Sequence, residues 1–143
     1  MRAANWDITL TEYLEGLRDY PFAWGENDCI TFTNQCVEII TGQGYCDDWI
    51  GEYTDGRGAF VHYRRKLYEQ GYSGIIDALD DRLERFTERF PPRGTLVGRE
   101  CNEKKGVLPI ALGIVVSDLA AFLMADGLVL LTLNEADLFW SVD

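Results

Sequence analysis

The chain of 143 residues has one histidine, no Cys-x-x-Cys pair and no run of about eighteen uncharged apolar residues. Each absence removes a class of function. Without a long apolar run no membrane-crossing helix is expected. Met1-Arg2-Ala3-Ala4-Asn5-Trp6 leads into a polar helical pattern and not an apolar signal core, so a soluble product made without an export signal is expected. Clustered positive charge is also missing. Residues 1–60 hold eleven acids and three bases, and residues 107–143 hold five acids and no base, within a net charge of −11. Recognition of a phosphate backbone needs concentrated Lys and Arg, so nucleic acid is not an expected partner. In residues 61–106 ten bases alternate with eight acids, as on a solvated helix.

Cys29, Cys36, Cys46 and Cys101 are seven, ten and fifty-five residues apart. A zinc site usually shows a closely spaced ligand pair, so no metal and no cofactor are expected and the cysteines are read as thiols. A cysteine-ligated cluster built from Cys29, Cys36 and Cys46, with or without Cys101, is the arrangement that would break this expectation.

What is present suits one core. The apolar fraction is 47%, enough for a single domain over residues 1–143. Thr9-Leu10-Thr11-Glu12 reads as a capping box, and Leu10, Tyr13, Leu14 and Leu17 recur at helical spacing, which predicts a helix from about Thr11 to Asp19, ending before Pro21. Asp28 is the expected N-cap of a second helix, whose inward face is Cys29, Thr33, Cys36, Val37 and Ile40 and which Gly42 ends. Residues 42–58 are loop-like, pinned by Tyr45, Trp49 and Tyr53. Ala59, Phe60, Tyr63 and Leu67 mark a third helix ending near Gly71. Ser73 is the expected cap of a fourth, carrying Ile75, Ile76 and Leu79, with Leu83 and Phe86 as its extension.

After Pro91-Pro92 the texture changes. Strands are expected at Thr95–Val97, Ile110–Val116, Ala120–Met124 and Leu128–Leu133, separated by turns at Asn102–Gly106, Ser117-Asp118 and Asp126-Gly127. Short connections imply an antiparallel meander. The fold class is therefore α+β, with N-terminal helices and the Cys29 helix packed on a C-terminal antiparallel sheet.

Cys29 falls in the first turn of its helix, where unsatisfied amides and the helix dipole favour a thiolate. Cysteine is also a common core residue, so position alone does not make it a nucleophile. The surrounding run Pro21-Phe22-Ala23-Trp24-Gly25-Glu26-Asn27-Asp28-Cys29-Ile30-Thr31-Phe32 resembles the NlpC-type cell-wall peptidases of the papain superfamily. Those enzymes carry a Trp-Gly or Tyr-Gly pair shortly before an Asp-Cys. The resemblance implies a papain-like fold with Cys29 at the nucleophile position, Trp24, Gly25 and Asp28 lining the site, and peptidoglycan stem peptides as substrate. It extends to Gly94-Thr95-Leu96-Val97 and to Ala111-Leu112-Gly113-Ile114, which puts Ala111 where the family has its histidine base. The following strand, Ala120–Met124, offers no polar residue to orient a base.

A cysteine peptidase needs a base to take the thiol proton and an acid for the leaving amine. The only imidazole is on His62, in Val61-His62-Tyr63-Arg64-Arg65-Lys66, where neighbouring bases suggest a solvent-facing helix position; a noncanonical dyad with Cys29 is the other reading. Trp24, Trp49, Tyr45 and Tyr53 either line a groove beside Cys29 or fill the core. The pairs Asp47-Asp48 and Asp80-Asp81 read as solvated carboxylates.

Over most of its length the chain also looks like small phage and prophage proteins related to the NlpC type. They share the Pro-Phe-x-Trp-Gly-x-x-Asp-Cys turn, an Ala-Leu-Gly-Ile/Val strand without histidine and a closing Asp-Gly-Leu-Val strand, here Asp126 to Val129. That resemblance implies a catalytically inactive tail-tip structural or assembly protein, located in the virion and made in the bacterial host cytoplasm. Its partners would be other tail and hub proteins. The alternative is an active peptidase or amidase that cleaves peptidoglycan as the phage enters its host.

Overall fold

A computed structural model describes residues 1–100 and 110–143. The expected turn at Asn102–Gly106 and the fourth cysteine, Cys101, lie outside the described residues. Those residues form four α-helices, α1 (Trp6–Gly16), α2 (Cys29–Thr41), α3 (Gly56–Glu69) and α4 (Ile75–Arg82). They also form six strands, β1 (Glu84–Arg85), β2 (Leu96–Glu100), β3 (Ile110–Val115), β4 (Leu119–Met124), β5 (Gly127–Thr132) and β6 (Leu138–Ser141). The strands make one sheet in the order β1-β6-β2-β3-β4-β5, with every pair antiparallel. The α+β order and the meander from β2 to β5 follow the sequence expectation. β6 was not expected: its four residues follow a short 3-10 turn at Leu133–Glu135, and the strand returns to lie between β1 and β2.

α2 packs on β3 and β4. The alternation of side chains along a strand divides the sheet into two faces. Leu96, Ile110, Leu112, Ile114, Ala121 and Trp140 join Phe32, Cys36, Val37 and Ile40 of α2 in the main core. On the other face Val97, Val115, Ala120 and Phe122 form a second cluster, flanked by Ala111, Leu131 and Phe139 and capped by Leu133 and Ala136.

Three expected helix boundaries are corrected. α1 begins at Trp6, not near Thr11, and the proposed capping box lies inside it, where the Thr9 and Thr11 hydroxyls donate to the Asn5 and Asp7 carbonyls. Tertiary contacts upstream explain the early start. Arg2 donates to the carbonyls of Val142 (3.1 Å) and Arg93 (2.7 Å) and lies over the Trp6 ring, while the Ala3 amide donates to the Ile40 carbonyl. α4 is preceded by Gly74 and not capped by the Ser73 side chain; the Ser73 amide instead donates to Asp77. Leu83 and Phe86 do not extend α4, because the Phe86 amide finds the Phe139 carbonyl of β6 and the chain turns into β1.

The loop between α2 and α3 is held firmly. Tyr45, Trp49 and Tyr53 are buried, Thr33 bonds the Tyr45 hydroxyl at 2.9 Å, and Asn34 bonds both the Cys46 amide and the Asp47 carboxylate. From the other side Arg82 makes a two-pronged ion pair with Asp48 (2.6 and 2.8 Å) and lies over Trp49. The Asp pairs are therefore engaged rather than merely solvated. Asp80 pairs with Arg85 and accepts from the Trp140 indole, and Asp81 accepts from Tyr72.

Candidate functional site

The Pro21–Asp28 run folds as a tight turn that delivers the chain into α2. Ala23 and Asn27 exchange backbone hydrogen bonds (3.1 and 2.7 Å), and the Asn27 side chain reaches back to the Pro21 carbonyl. Gly25 has φ +82, and a Cβ there would lie 2.5 Å from the Tyr53 carbonyl oxygen, so both conformation and space require glycine. Trp24 packs edge-on against Phe22 at 4.8 Å, half-buried against the core.

Asp28 is the centre of this arrangement. Its Oδ1 accepts from the amides of Ile30 and Thr31 at 3.0 Å each, and the Thr31 hydroxyl accepts from the Asp28 amide, a complete capping box. Its Oδ2 accepts from the Gly25 amide at 2.9 Å and from the Tyr53 hydroxyl at 2.6 Å. The Tyr53 hydroxyl in turn takes a short hydrogen bond from Tyr63 of α3. At 1% exposure the carboxylate is desolvated, and these donors replace the lost water.

Cys29 follows in the first turn of α2 and is half-buried. Tyr63 is near enough to interact with it electrostatically. Burial pushes the Tyr53 and Tyr63 hydroxyls far above the ordinary phenol range, and for Tyr53 the Asp28 carboxylate adds to that shift. Both are neutral phenols at physiological pH and supply no base.

His62 does not have the solvent-facing position its neighbours in sequence suggested. It is half-buried against Tyr53 and Tyr63, with Nε2 2.6 Å from the Trp49 carbonyl oxygen. A carbonyl only accepts, so Nε2 carries the proton. The ring lies so close to Gly51 that a Cβ there would meet it at 2.2 Å. Successive helix positions diverge by about 100°, and on α3 it is Tyr63, not His62, that turns toward the start of α2.

Ala111 faces away from α2. Its side chain belongs with the second cluster, while Leu112 and Ile114 point toward the helix. A histidine at 111 would therefore lie on the opposite face of the sheet from Cys29.

The family described as a domain of unknown function, DUF6950, matches residues 1–142. The chain belongs to the DUF6950 family. No curated protein and no solved structure matches it.

Among the described residues of this DUF6950 chain, Cys29, Cys36 and Cys46 do not gather into a metal-binding group. Cys36 and Cys46 are fully buried, and burial drives both thiols upward, away from the thiolate form a metal needs. Among the described residues no three His, Cys, Asp or Glu side chains gather to hold an ion. None of the described helices is long and apolar enough to cross a membrane. Tyr53, read from the sequence as lining a groove beside Cys29 or filling the core, and Tyr63, read as a position on one face of α3, close the network on Asp28.

Proposed function

We propose that the chain is a structural or assembly component of a phage tail tip, built on an NlpC-type, papain-like fold that has kept its cysteine without an imidazole to serve it. Trp24, Gly25, Asp28 and Cys29 form the turn and helix start that this fold uses to present a nucleophile. The observation that carries the loss of chemistry is the place of the chain's one imidazole: it is held against Gly51 and the Trp49 carbonyl, and phenols occupy the space between α3 and Asp28. On this reading the protein is a virion component, made in the host cytoplasm, whose partners are other tail proteins. Phages carrying Cys29→Ala should assemble normal tails containing the protein. Tail-defective particles with the mutant protein still folded would count against a purely architectural role.

The half-exposed position of Cys29 at the positive end of α2 favours one alternative, an active peptidase or amidase on peptidoglycan stem peptides whose base comes from a neighbouring tail protein. Incubation with peptidoglycan fragments, alone and with its tail partners, distinguishes the two. New amino termini that disappear in Cys29→Ala would establish the alternative, and their absence would exclude it.

A further inference from the structure

Sequence periodicity put Phe60 on the inner face of α3, yet it is 42% exposed. With Val61 (56%) and Tyr68 (83%) it forms an apolar stripe interleaved with exposed Arg64 and Arg65, beside an open hollow of about 920 Å³. Arg64 lies 5.9 Å from the Phe60 ring, so charge and apolar surface are presented together. α3 carries four bases against one acid in a chain whose net charge is −11. This face fits an acidic, partly apolar partner.

Such a surface exists on the same chain. Between α1 and the turn before α2 lies an open groove of about 690 Å³, lined by Glu12, Tyr13, Tyr20, Glu26 and Ile50 among others. Glu12 and Glu26 are exposed, and Tyr20 and Ile50 are 67% and 37% exposed. The two faces are complementary: two exposed arginines, of which Arg65 also meets Glu69 of its own helix at 3.9 Å, against two exposed carboxylates, with aromatic side chains projecting from both and a hollow beside each.

We propose that the chain self-associates head to tail, the Phe60–Tyr68 face of α3 in one copy docking on the Glu12–Glu26 groove of the next. Because the two faces differ, the contact is heterologous and propagates into a ring or a filament rather than stopping at a two-fold dimer. The inference goes beyond the tail-tip reading and stands whether or not Cys29 reacts.

Sedimentation velocity of the full chain, from about 10 to about 300 µM, tests it. The average mass should rise with concentration and fall between about 20 and about 500 mM salt, as screening weakens the charge pairs. Arg64→Glu/Arg65→Glu and Glu12→Arg/Glu26→Arg should each weaken association at least about tenfold, since like charges then face each other. Mixing the two variants restores opposite charges at every contact and should restore association. All four positions are exposed, and circular dichroism verifies that both variants fold. A wild type that stays monomeric throughout overturns the proposal, as does self-association that the charge reversals leave unchanged or that mixing fails to rescue.

Discussion

The Tyr53 hydroxyl donates a 2.6 Å hydrogen bond to Asp28 Oδ2, joining the loop before α3 to the buried carboxylate that caps α2. Tyr63 donates into the same hydroxyl, so one chain of polar contacts runs from the middle of α3 to the residue before Cys29. The part of the molecule that looks like an active site is thus held by a network that leaves its phenols occupied and its carboxylate saturated.

Tyr53→Phe removes one donor from Asp28 and the acceptor of Tyr63, and should cost about 1–3 kcal/mol in urea unfolding. Asp28→Ala should cost more, because the cap is lost and the Gly25 amide is left without its acceptor. The double mutant should fall short of the sum by about 0.5 kcal/mol or more. Additive effects would show that the contacts are not coupled.

Gly25→Ala should destabilise by well over ~1 kcal/mol, from strain at φ +82 and collision with the Tyr53 carbonyl. Gly16→Ala is the control. Gly16 has right-handed helical angles with nothing within 4 Å of a new Cβ, so the change should stabilise by about 0.4–1 kcal/mol. Thermal unfolding of the two variants should move in opposite directions.

The Arg82 guanidinium bonded to Asp48 lowers that carboxyl to about 2. The folded pKa lies below the unfolded value of about 3.9, so the unfolded chain takes up this proton first. The contribution is complete above about pH 4 and is lost as pH falls toward 2. Half-exposure of Asp48 keeps it to about 1 kcal/mol or less. Asp48→Asn should lower the urea midpoint at pH 7 and flatten its decline between pH 4 and 2; an unchanged decline would refute the assignment.

In a Cys101→Ser background, an aromatic disulfide reagent should modify one thiol of the folded protein, and peptide mapping should place it at Cys29. Cys36 and Cys46 are fully buried and have raised pKa values, so they should react only on unfolding. Rapid modification of all three in the native state would contradict this burial.

Ala111→His should not create a hydrolase. The imidazole would meet Val97, Val115, Ala120 and Phe122 on the sheet face away from α2 and should lower stability by about 1–3 kcal/mol. Cleavage of peptidoglycan fragments by this variant but not by wild type would show that position 111 reaches Cys29.

The local features of the site were readable because they depend on near neighbours. Asp28 as cap, Gly42 as the end of α2 and the β2–β5 meander each rest on spacings of a few residues. Where distant segments supply the partner, the reading shifted. Arg2 drew the start of α1 back to Trp6, Phe139 ended α4 early, and β6 entered the sheet beside a strand about forty residues earlier.

The sequence by itself determined that any catalysis at Cys29 within this chain has one imidazole to draw on, because composition bounds chemistry regardless of fold. Only the tertiary structure decided where that imidazole goes. The backbone of Trp49 and the close approach of Gly51 take His62, and an angular offset of one helix position brings Tyr63 to the Tyr53 hydroxyl that bonds Asp28. Such directions arise from contacts between segments far apart in the chain, and no local pattern encodes them.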